Sequence, residues 1–526
     1  FNGKIMFSDK KIKLKKRKVQ YLAGVSAFSF TFTGATLAWS SPAIPKFNNG
    51  ETNVVITDTQ TSWVVSLHSA GALLGCYFGQ VLNEKAGRRR TFFGSALPGL
   101  LGAIILINTT LPEMMYVARF LMGLATGIIA VVTMIYITEI ADKEIRGALG
   151  MTVQVMNNLG SLTVYGVGPF VSYTSLNCII LILPICYVIL CWWIPESPYY
   201  HLKDGRIDAA RKEFMRLKGT RDESLIDEQM SIMRAHVRES MENKTTLKEL
   251  LTNMRYRKAV YIVTGLKLLQ YMTGILVIQS YLEPIFRQSS FISGPIASIV
   301  YGFVQLGAGI GATFLSRWFG RRILLFISCL GVSLAMTLVG LYFFLQDTIQ
   351  VSAETSKDIS WMPLAELFPV NVKGVASSTA TMLACILGFL VTKCYQQVKD
   401  ACGHYMVFWS FAFLGYLGLF FIYFFVPETK DKTLEEVQTN IQEQQPEEEL
   451  LNTDKVEKAQ NDLEVQCVSL QYKGCCYSKF SWCSRRSREV RMGCRLVRRR
   501  FPPTRPIRTC CRGCRIGGSA ACWGPS

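Results

Sequence analysis

Glu84-Lys85-Ala86-Gly87-Arg88-Arg89-Arg90 is a short basic turn between two apolar blocks, residues 61–82 and 91–108, and its pattern recurs. Arg317-Trp318-Phe319-Gly320-Arg321-Arg322 stands between the blocks 292–315 and 323–345. A Gly-Arg-Arg turn at the same place in two successive groups of blocks marks an internal duplication. Each block approaches the roughly 20 apolar residues that a helix needs to cross a hydrocarbon core of about 30 Å.

Working outward from the two turns, eleven blocks can be drawn: 20–40, 61–82, 91–108, 115–137, 149–173, 177–193, 259–285, 292–315, 323–345, 375–391 and 405–426. The eighth and tenth, rich in Gly, Ala and Ser, are the weakest. Half of the 526 residues are hydrophobic, and they come in long runs and not in amphipathic stripes, which is the composition of a membrane protein. The expected fold class is an all-α membrane protein of two pseudo-symmetric helical halves with about 11 to 12 transmembrane helices. Duplicated halves of this kind belong to alternating-access carriers, which bind their substrate near mid-membrane between the halves.

The basic run 10–18 before the first block imitates the start of a signal peptide. No small-residue cleavage site follows and more spans do, so the block reads as a retained first helix. Lys and Arg gather in the amino-terminal segment and in 85–90, 142–146, 203–258 and 317–322, whereas 43–61 and 108–113 are nearly free of them. The positive-inside rule then places the amino terminus in the cytoplasm.

The organisation expected is a basic cytoplasmic segment (1–19), a six-helix half (20–193), a cytoplasmic helical insertion (194–258), a second helical half with a truncated tenth helix (259–426), a polar cytoplasmic tail (427–466) and a Cys/Arg-rich extension (467–526). In the insertion, Leu202, Ala209, Ala210, Phe214 and Leu217 fall at roughly helical spacing among charges, as in short amphipathic helices capping the bundle. The extension holds 9 of the 17 cysteines, and fourteen Lys and Arg against one acidic residue, so it carries thirteen of the net nineteen positive charges. The basicity is therefore a property of the tail and no argument for nucleic-acid binding. Zinc-ligand order is missing there, since Cys475 and Cys476 are adjacent, Cys511 and Cys514 form a lone pair and histidine is absent. Palmitoylation beside the polybasic residues is one reading of it. A disordered extension, or the product of a shifted reading frame, is another.

Seven short motifs, in order, carry a resemblance. They are Trp39-Ser40-Ser41-Pro42-Ala43, Glu84 to Arg89, Arg119-Phe120-Leu121-Met122-Gly123, Tyr136-Ile137-Thr138-Glu139 with Arg146-Gly147, Pro195-Glu196-Ser197-Pro198, Glu366-Leu367-Phe368-Pro369 and Pro427-Glu428-Thr429-Lys430. Together they resemble the sugar porter family of the major facilitator superfamily, most closely the insect facilitated trehalose transporters. The resemblance implies a facilitative, multi-pass carrier of a sugar in the plasma membrane, working as a monomer without cofactor or metal, with the lipid bilayer as surroundings and no enzymatic activity. No Ser/His/Asp set, phosphate-gripping loop or metal cluster argues otherwise, and the chain has only four histidines.

Physics assigns the charged turns a task. Glu84, Arg88, Arg89, Arg119, Glu139, Arg146, Arg321, Arg322, Glu366 and Lys373 are expected at helix ends on the basic face. Ion pairs between halves there would latch that side and part when it opens. The alternative is that they only anchor helix ends at the headgroups. The acid expected three residues before Gly320 is Arg317, which weakens one such pair.

A sugar needs amide and hydroxyl partners for its hydroxyls and an aromatic face for its ring. By resemblance, Gln154, Gln270 and Trp361 stand where the family holds sugar, and Gln305 replaces the eighth-span Asn. Other positions depart from the family: Tyr271 and Leu276 replace a Gln and an Asn, and Ala384-Cys385 replaces an Asn-Trp pair. Lys267 shares a helical face with Gln270 and Gly274. An ionisable residue at that depth either recruits an anionic substrate or snorkels to an interface. His68 reads as a packed polar residue more readily than as a proton relay. The first block has no acid and no carboxylate stands mid-span, so downhill exchange is expected in place of proton coupling.

Residues 346–360 carry Asp347, Glu354, Lys357 and Asp358 where the family has a loop and the outer half of its tenth helix. Charge of this density cannot line lipid. Either a half-helix around 361–367 closes the bundle, or the last two spans invert and leave the tail outside. Three functional readings follow: a sugar uniporter, a transport-inactive or sensor-like relative with a degraded site, and a carrier of another small, anionic solute.

Overall fold

The computed structural model describes residues 19, 21–52, 54–141, 146–218, 223–242, 254–287, 293–349 and 375–426. Among them nine helical stretches are long and apolar enough to cross a membrane. In the amino-terminal half these are α1 (Tyr21–Asn48), α2 (Asp58–Lys85), α3 (Arg88–Ile107), α4 (Pro112–Ile140) and α6 (Tyr173–Cys191). Between the last two lies α5 (Arg146–Val167), less apolar because Gln154, Asn157 and Asn158 cross its middle. Three shorter helices follow, α7 (Pro198–Lys203), α8 (Ile207–Lys218) and α9 (Glu223–Glu242). They bury Leu202, Ala210, Phe214, Ile226 and Met230 in a core of their own; of the residues spaced in the sequence, Leu202, Ala210 and Phe214 enter it, whereas Leu217 packs into the main core.

The second half holds α10 (Met254–Met272), α11 (Ile275–Arg287), α12 (Gly294–Trp318), α13 (Arg321–Ile349) and α14 (Val375–Phe425). The first two form one broken span, and α14 turns back at Gly403 into two arms, 375–402 and 404–425. Counted this way, the described residues form eleven spans, in the order the sequence blocks predict.

Local chemistry sets the helix starts. α2 opens on a capping box in which the Gln60 N–H donates to the Thr57 hydroxyl at 3.3 Å and the Thr57 N–H donates to Gln60 Oε1 at 2.9 Å. α4 opens on Pro112, whose missing N–H costs nothing in a first turn.

Packing repeats between the halves. α1 lies against α5 and α6, as the broken seventh span lies against both arms of α14. α3 lies against α6, as α13 lies against the second arm of α14, through Phe343 on Phe408, Phe344 on Trp409 and Thr337 on Tyr416. Across the seam, α2 meets the first arm of α14 and α5 meets α12. These paired contacts are the two pseudo-symmetric halves anticipated from the repeated turn.

The end of the bundle that holds Lys85 to Arg90 and Arg321-Arg322 is its basic end. Along α2 and α14 the partners run in opposite order, Ser62 with Lys393, Trp63 with Phe389 and Ser69 with Gly388. The first arm therefore climbs from the basic end and the second returns to it, where the Arg322 guanidinium donates to the Tyr423 carbonyl. The last two spans are not inverted, and residue 426 sits at the basic end. The 361–367 half-helix, the tail 427–466 and the extension 467–526 lie outside the described residues.

Candidate functional site

At the end away from the basic turns, side chains of the two halves meet. The Glu283 N–H donates to the Ser41 hydroxyl at 3.1 Å, and the Arg287 guanidinium reaches Asn49 Oδ1 at 3.4 Å. Arg287 also lies 3.5 Å from the Glu283 carboxylate, which is only 2% exposed. Lys393 donates to the Ser62 hydroxyl at 2.8 Å and stands 4.0 Å above the Trp63 ring. A cation over an aromatic face, with its stem packed, holds two helices together without burying a bare charge. Glu283 sits near the end of its span, a buried acid at this seam that the sequence reading did not single out.

Deeper in, amides cross from one half to the other. Gln154 donates through Nε2 to Asn158 Oδ1 at 2.9 Å, the i,i+4 spacing that places both on one face of α5. Asn158 then donates through Nδ2 to the Gln305 carbonyl on α12 at 2.9 Å. Gly309 makes room for this, since a Cβ there would stand 2.9 Å from Asn158 Nδ2. Gln305 is itself 5% exposed, and its Oε1 has no hydrogen-bond partner. A buried amide oxygen left open is an acceptor waiting for a donor, because its desolvation has already been incurred. From the same α5, the Tyr165 hydroxyl donates to the Gln279 carbonyl on α11 at 2.9 Å.

Of the expected binding residues, the structure links Gln154 to Gln305 through Asn158, a bridging residue that sequence reasoning did not single out. Its only signal was the i,i+4 offset from Gln154. Gln270 is held instead by Lys267, whose ammonium donates to Gln270 Oε1 at 3.2 Å and lies 6.0 Å from the Tyr271 ring centre. Lys267 thus turns into the bundle, toward Cys385, and not to an interface. The break beside it is made by Gly274 at φ +81°, a left-handed conformation that strains any residue with a Cβ, in a space closed by the Phe411 ring. His68 packs against the Thr126 hydroxyl at 3.4 Å. Trp361 lies outside the described residues.

The charged turns make the following contacts among the described residues. Arg88 clasps Glu139 with two guanidinium nitrogens, Nε at 2.9 Å, and a third reaches the Asn83 carbonyl, all within the amino-terminal half. Arg89 donates to the Trp192 carbonyl at 2.9 Å, and Glu84 faces Lys203 at 3.8 Å. Arg322 donates to the Tyr423 carbonyl and lies 5.5 Å from the centre of that residue's ring. The side chains of Arg146, Arg317 and Arg321, and residues Glu366 and Lys373, lie outside the described set.

Arg119 requires a correction. It was expected at a helix end on the basic face, but α4 starts at the opposite end, so Arg119 lies about two turns in from there and is 1% exposed. Its guanidinium donates to the carbonyls of Thr36 at 2.7 Å and Val64 at 3.1 Å and lies 5.0 Å from the Trp39 ring centre. It ties α1, α2 and α4 together and takes no part in a charged turn.

Glu196, part of a motif with no role assigned from sequence, caps α3. Its carboxylate accepts from the Arg88 N–H at 2.8 Å and the Arg89 N–H at 3.2 Å. Gly87, at φ +90°, leaves the space that the carboxylate enters. Glu196→Ala strips the orphan donors of α3 of a charged acceptor and is expected to cost about 1–2 kcal/mol of stability. Glu196→Gln should lose less. Thermal melting of the purified protein in detergent checks both, and a Glu196→Ala protein that melts with the parent would refute the cap.

The comparisons with known proteins fit this arrangement. The sequence profile described as "Sugar (and other) transporter" matches residues 19–441. The "Facilitated trehalose transporter Tret1" of Bombyx mori is 31% identical over 427 residues, 78% of this chain and 84% of that protein. The protein of the same name from Drosophila mojavensis is 30% identical over 80% of this chain, but this chain spans only 51% of its length. The proton:xylose symporter XylE bound to 6-bromo-6-deoxy-D-glucose superposes with a TM-score of 0.63 at 19% identity, covering 81% of this chain and 99% of that one. XylE from E. coli in an inward open conformation gives 0.60 at 20% identity, covering 80% and 98%. At such identities these structures speak for the major facilitator fold alone. The profile spans both halves and the seam between them, so the chain is a multi-pass membrane protein of the major facilitator fold and belongs to the sugar transporter family.

Proposed function

We propose that this protein is a facilitative carrier that moves trehalose or a glucose-like sugar down its gradient by alternating access. The observation that carries this reading is the amide row Gln154, Asn158 and Gln305, which crosses between the halves at mid-bundle and ends on an open acceptor. Amides that donate and accept along a seam suit a ligand made of hydroxyl groups, and a seam is where rocking halves can bind and release it. The basic end is assigned to the cytoplasm by the positive-inside rule, with the amino terminus on that side, in the plasma membrane. The contacts of Ser41, Asn49, Ser62 and Trp63 with Glu283, Arg287, Lys393 and Phe389 would then seal the outer end, as in a carrier open toward the cytoplasm. Names of the relatives support trehalose as the first sugar to try.

The test is uptake of labelled trehalose and glucose into liposomes holding the full chain. Uptake should follow the sugar gradient, stop when it is dissipated and ignore a pH jump. Gln154→Ala and Asn158→Ala are each expected to raise the half-saturating concentration about tenfold, the equivalent of about 1.4 kcal/mol of hydrogen bonding. Uptake that needs an imposed proton gradient would overturn the facilitative reading, and unchanged affinity in both variants would move the site elsewhere.

A second reading rests on Lys267. Its ammonium occupies Gln270, an amide that the resemblance assigns to sugar, so a positive charge stands beside that amide. A sugar acid or another small carboxylate would match it. Competition of labelled trehalose uptake by gluconate, lost in Lys267→Leu, is the result that would favour this reading.

A further inference from the structure

Where α3 meets α6 at the basic end, positive charge is left over. Arg88 is clasped by Glu139, Lys203 faces Glu84, and the Glu196 carboxylate is filled by the N–H groups of Arg88, Arg89 and Ser197. Arg89 and Arg90 have no ion pair among the described residues. The Arg89 guanidinium donates to the Trp192 carbonyl at 2.9 Å and stands 5.9 Å from the Phe93 ring centre and 6.0 Å from that of Trp192. Its Nε has no hydrogen-bond partner among the described residues. A guanidinium fixed by a carbonyl and two rings keeps donors in a set direction for an oxygen anion, at little further loss of freedom. Arg90, the next residue, is exposed.

Apolar surface continues from this corner into the membrane. On α3 the exposed residues Leu97 and Leu101 follow Arg90 at i+7 and i+11, on one helix face. α6 packs against α3 through Ser95 and Tyr187 at 3.2 Å and through Phe93 and Trp192, whose ring centres are 5.8 Å apart. It exposes Ile182, Ile185 and Ile189 at i, i+3 and i+7 and ends in Trp192 and Trp193, 65% and 60% exposed. At 1.5 Å per residue, the step from Arg90 to Leu101 is about 16 Å, half of a hydrocarbon core of about 30 Å. The surface is thus one leaflet deep, with tryptophans at headgroup level and two unpaired guanidinium groups at its rim.

We propose that this corner binds a phospholipid of net negative charge, such as phosphatidylserine, in the leaflet at the basic end. The phosphate oxygens accept from Arg89 and Arg90, and the acyl chains lie on the exposed faces of α3 and α6. A zwitterionic lipid brings the same phosphate with an ammonium group of its own, which offsets the charge that two guanidinium groups attract. Tryptophans and arginines that only mark the interface would hold either lipid equally. The site is independent of the sugar, and its place in the inner leaflet follows from the assignment of the basic end to the cytoplasm.

The experiment adds phosphatidylserine or phosphatidylcholine, each brominated in its acyl chains, to the full chain in a neutral detergent and follows quenching of tryptophan fluorescence. Phosphatidylserine should reach half-quenching at a mole fraction at least tenfold lower. In the double variant Arg89→Gln, Arg90→Gln it should bind about thirtyfold more weakly, from roughly fivefold per arginine, and the preference should vanish. Arg90→Gln alone, which removes no contact within the described chain, should lose about fivefold and keeps the test open if the double variant does not fold. Lys203→Gln, at a charge already paired with Glu84, should retain the preference. Trp192→Phe with Trp193→Phe should remove most of the quenching. Equal quenching by the two lipids in the parent, or an undiminished preference in Arg90→Gln, would overturn the site. Competition by water-soluble glycerophosphoserine at the lipid's own concentration would also overturn it, since the corner would then hold a free phosphate ester without the acyl chains.

Discussion

Gly127→Val is expected to leave no folded carrier. Gly71 and Gly75 on α2 and Gly123 and Gly127 on α4 let these two helices touch backbone to backbone. A Cβ on Gly127 would overlap the Ala72 carbonyl oxygen and stand 2.7 Å from the Cys76 amide nitrogen, and one on Gly123 would overlap the His68 carbonyl. From the other side, Cβ atoms on Gly71 and Gly75 would overlap the carbonyls of Phe120 and Leu124. Inserted bulk is usually absorbed at about 1–3 kcal/mol because a neighbouring side chain swings away. Here the neighbours are main chain, so α2 and α4 must separate along their length and the small-residue contact that drives helix association in lipid is lost. The expected loss is roughly 3 kcal/mol or more, seen as aggregated material in detergent chromatography of a fluorescent fusion. Gly94→Val, on α3 where nothing lies within 4 Å of a Cβ, is the control. A Gly127→Val protein that elutes and melts like that control would refute the packing.

The second large effect concerns Arg119, and its size depends on the substitute. A cation 1% exposed is stable only because the flat guanidinium reaches two carbonyls on different helices and meets the Trp39 face. Lysine keeps the charge but lacks the fork, so it cannot reach Thr36 and Val64 together. Arg119→Lys is therefore expected to cost about 3–5 kcal/mol, the scale for a buried charge that loses its compensation. Arg119→Met removes the charge with its desolvation cost and keeps most of the volume, and should cost clearly less. Melting temperatures of the two variants in the same detergent decide it. If lysine proves milder than methionine, the residue is needed for its charge and the tie among α1, α2 and α4 is secondary.

The two effects show where the sequence was readable and where it was not. The Gly71, Gly75 and Gly79 spacing on α2 is visible in the chain, but nothing there says that its partner is α4. Arg119 looked like one more residue of the charged turns, because hydropathy places a residue in a span without saying in which direction the span runs. Counting turns from Arg88 through α3 puts it near the opposite end, and only packing shows that it faces carbonyls. Glu196 was visible as a motif, while its role depended on residue 196 returning to residue 88. Arg88 finds Glu139 within its own half, where two charges can meet at a fixed distance whichever way the carrier faces.

The sequence by itself determined membrane residence, the order of the described spans, the two-half plan and the basic end. All of these rest on block length, repetition and charge, which are local properties summed along the chain. Tertiary structure alone decided that the last two spans keep their direction, because antiparallel pairing of Ser62 with Lys393 and Ser69 with Gly388 admits one orientation. It also decided that Gln154 and Gln305 share a row through Asn158 while Gln270 is taken by Lys267. Side-chain partners across a seam depend on which faces two independently folded halves present to each other. That choice is made by packing, far along the chain from either residue.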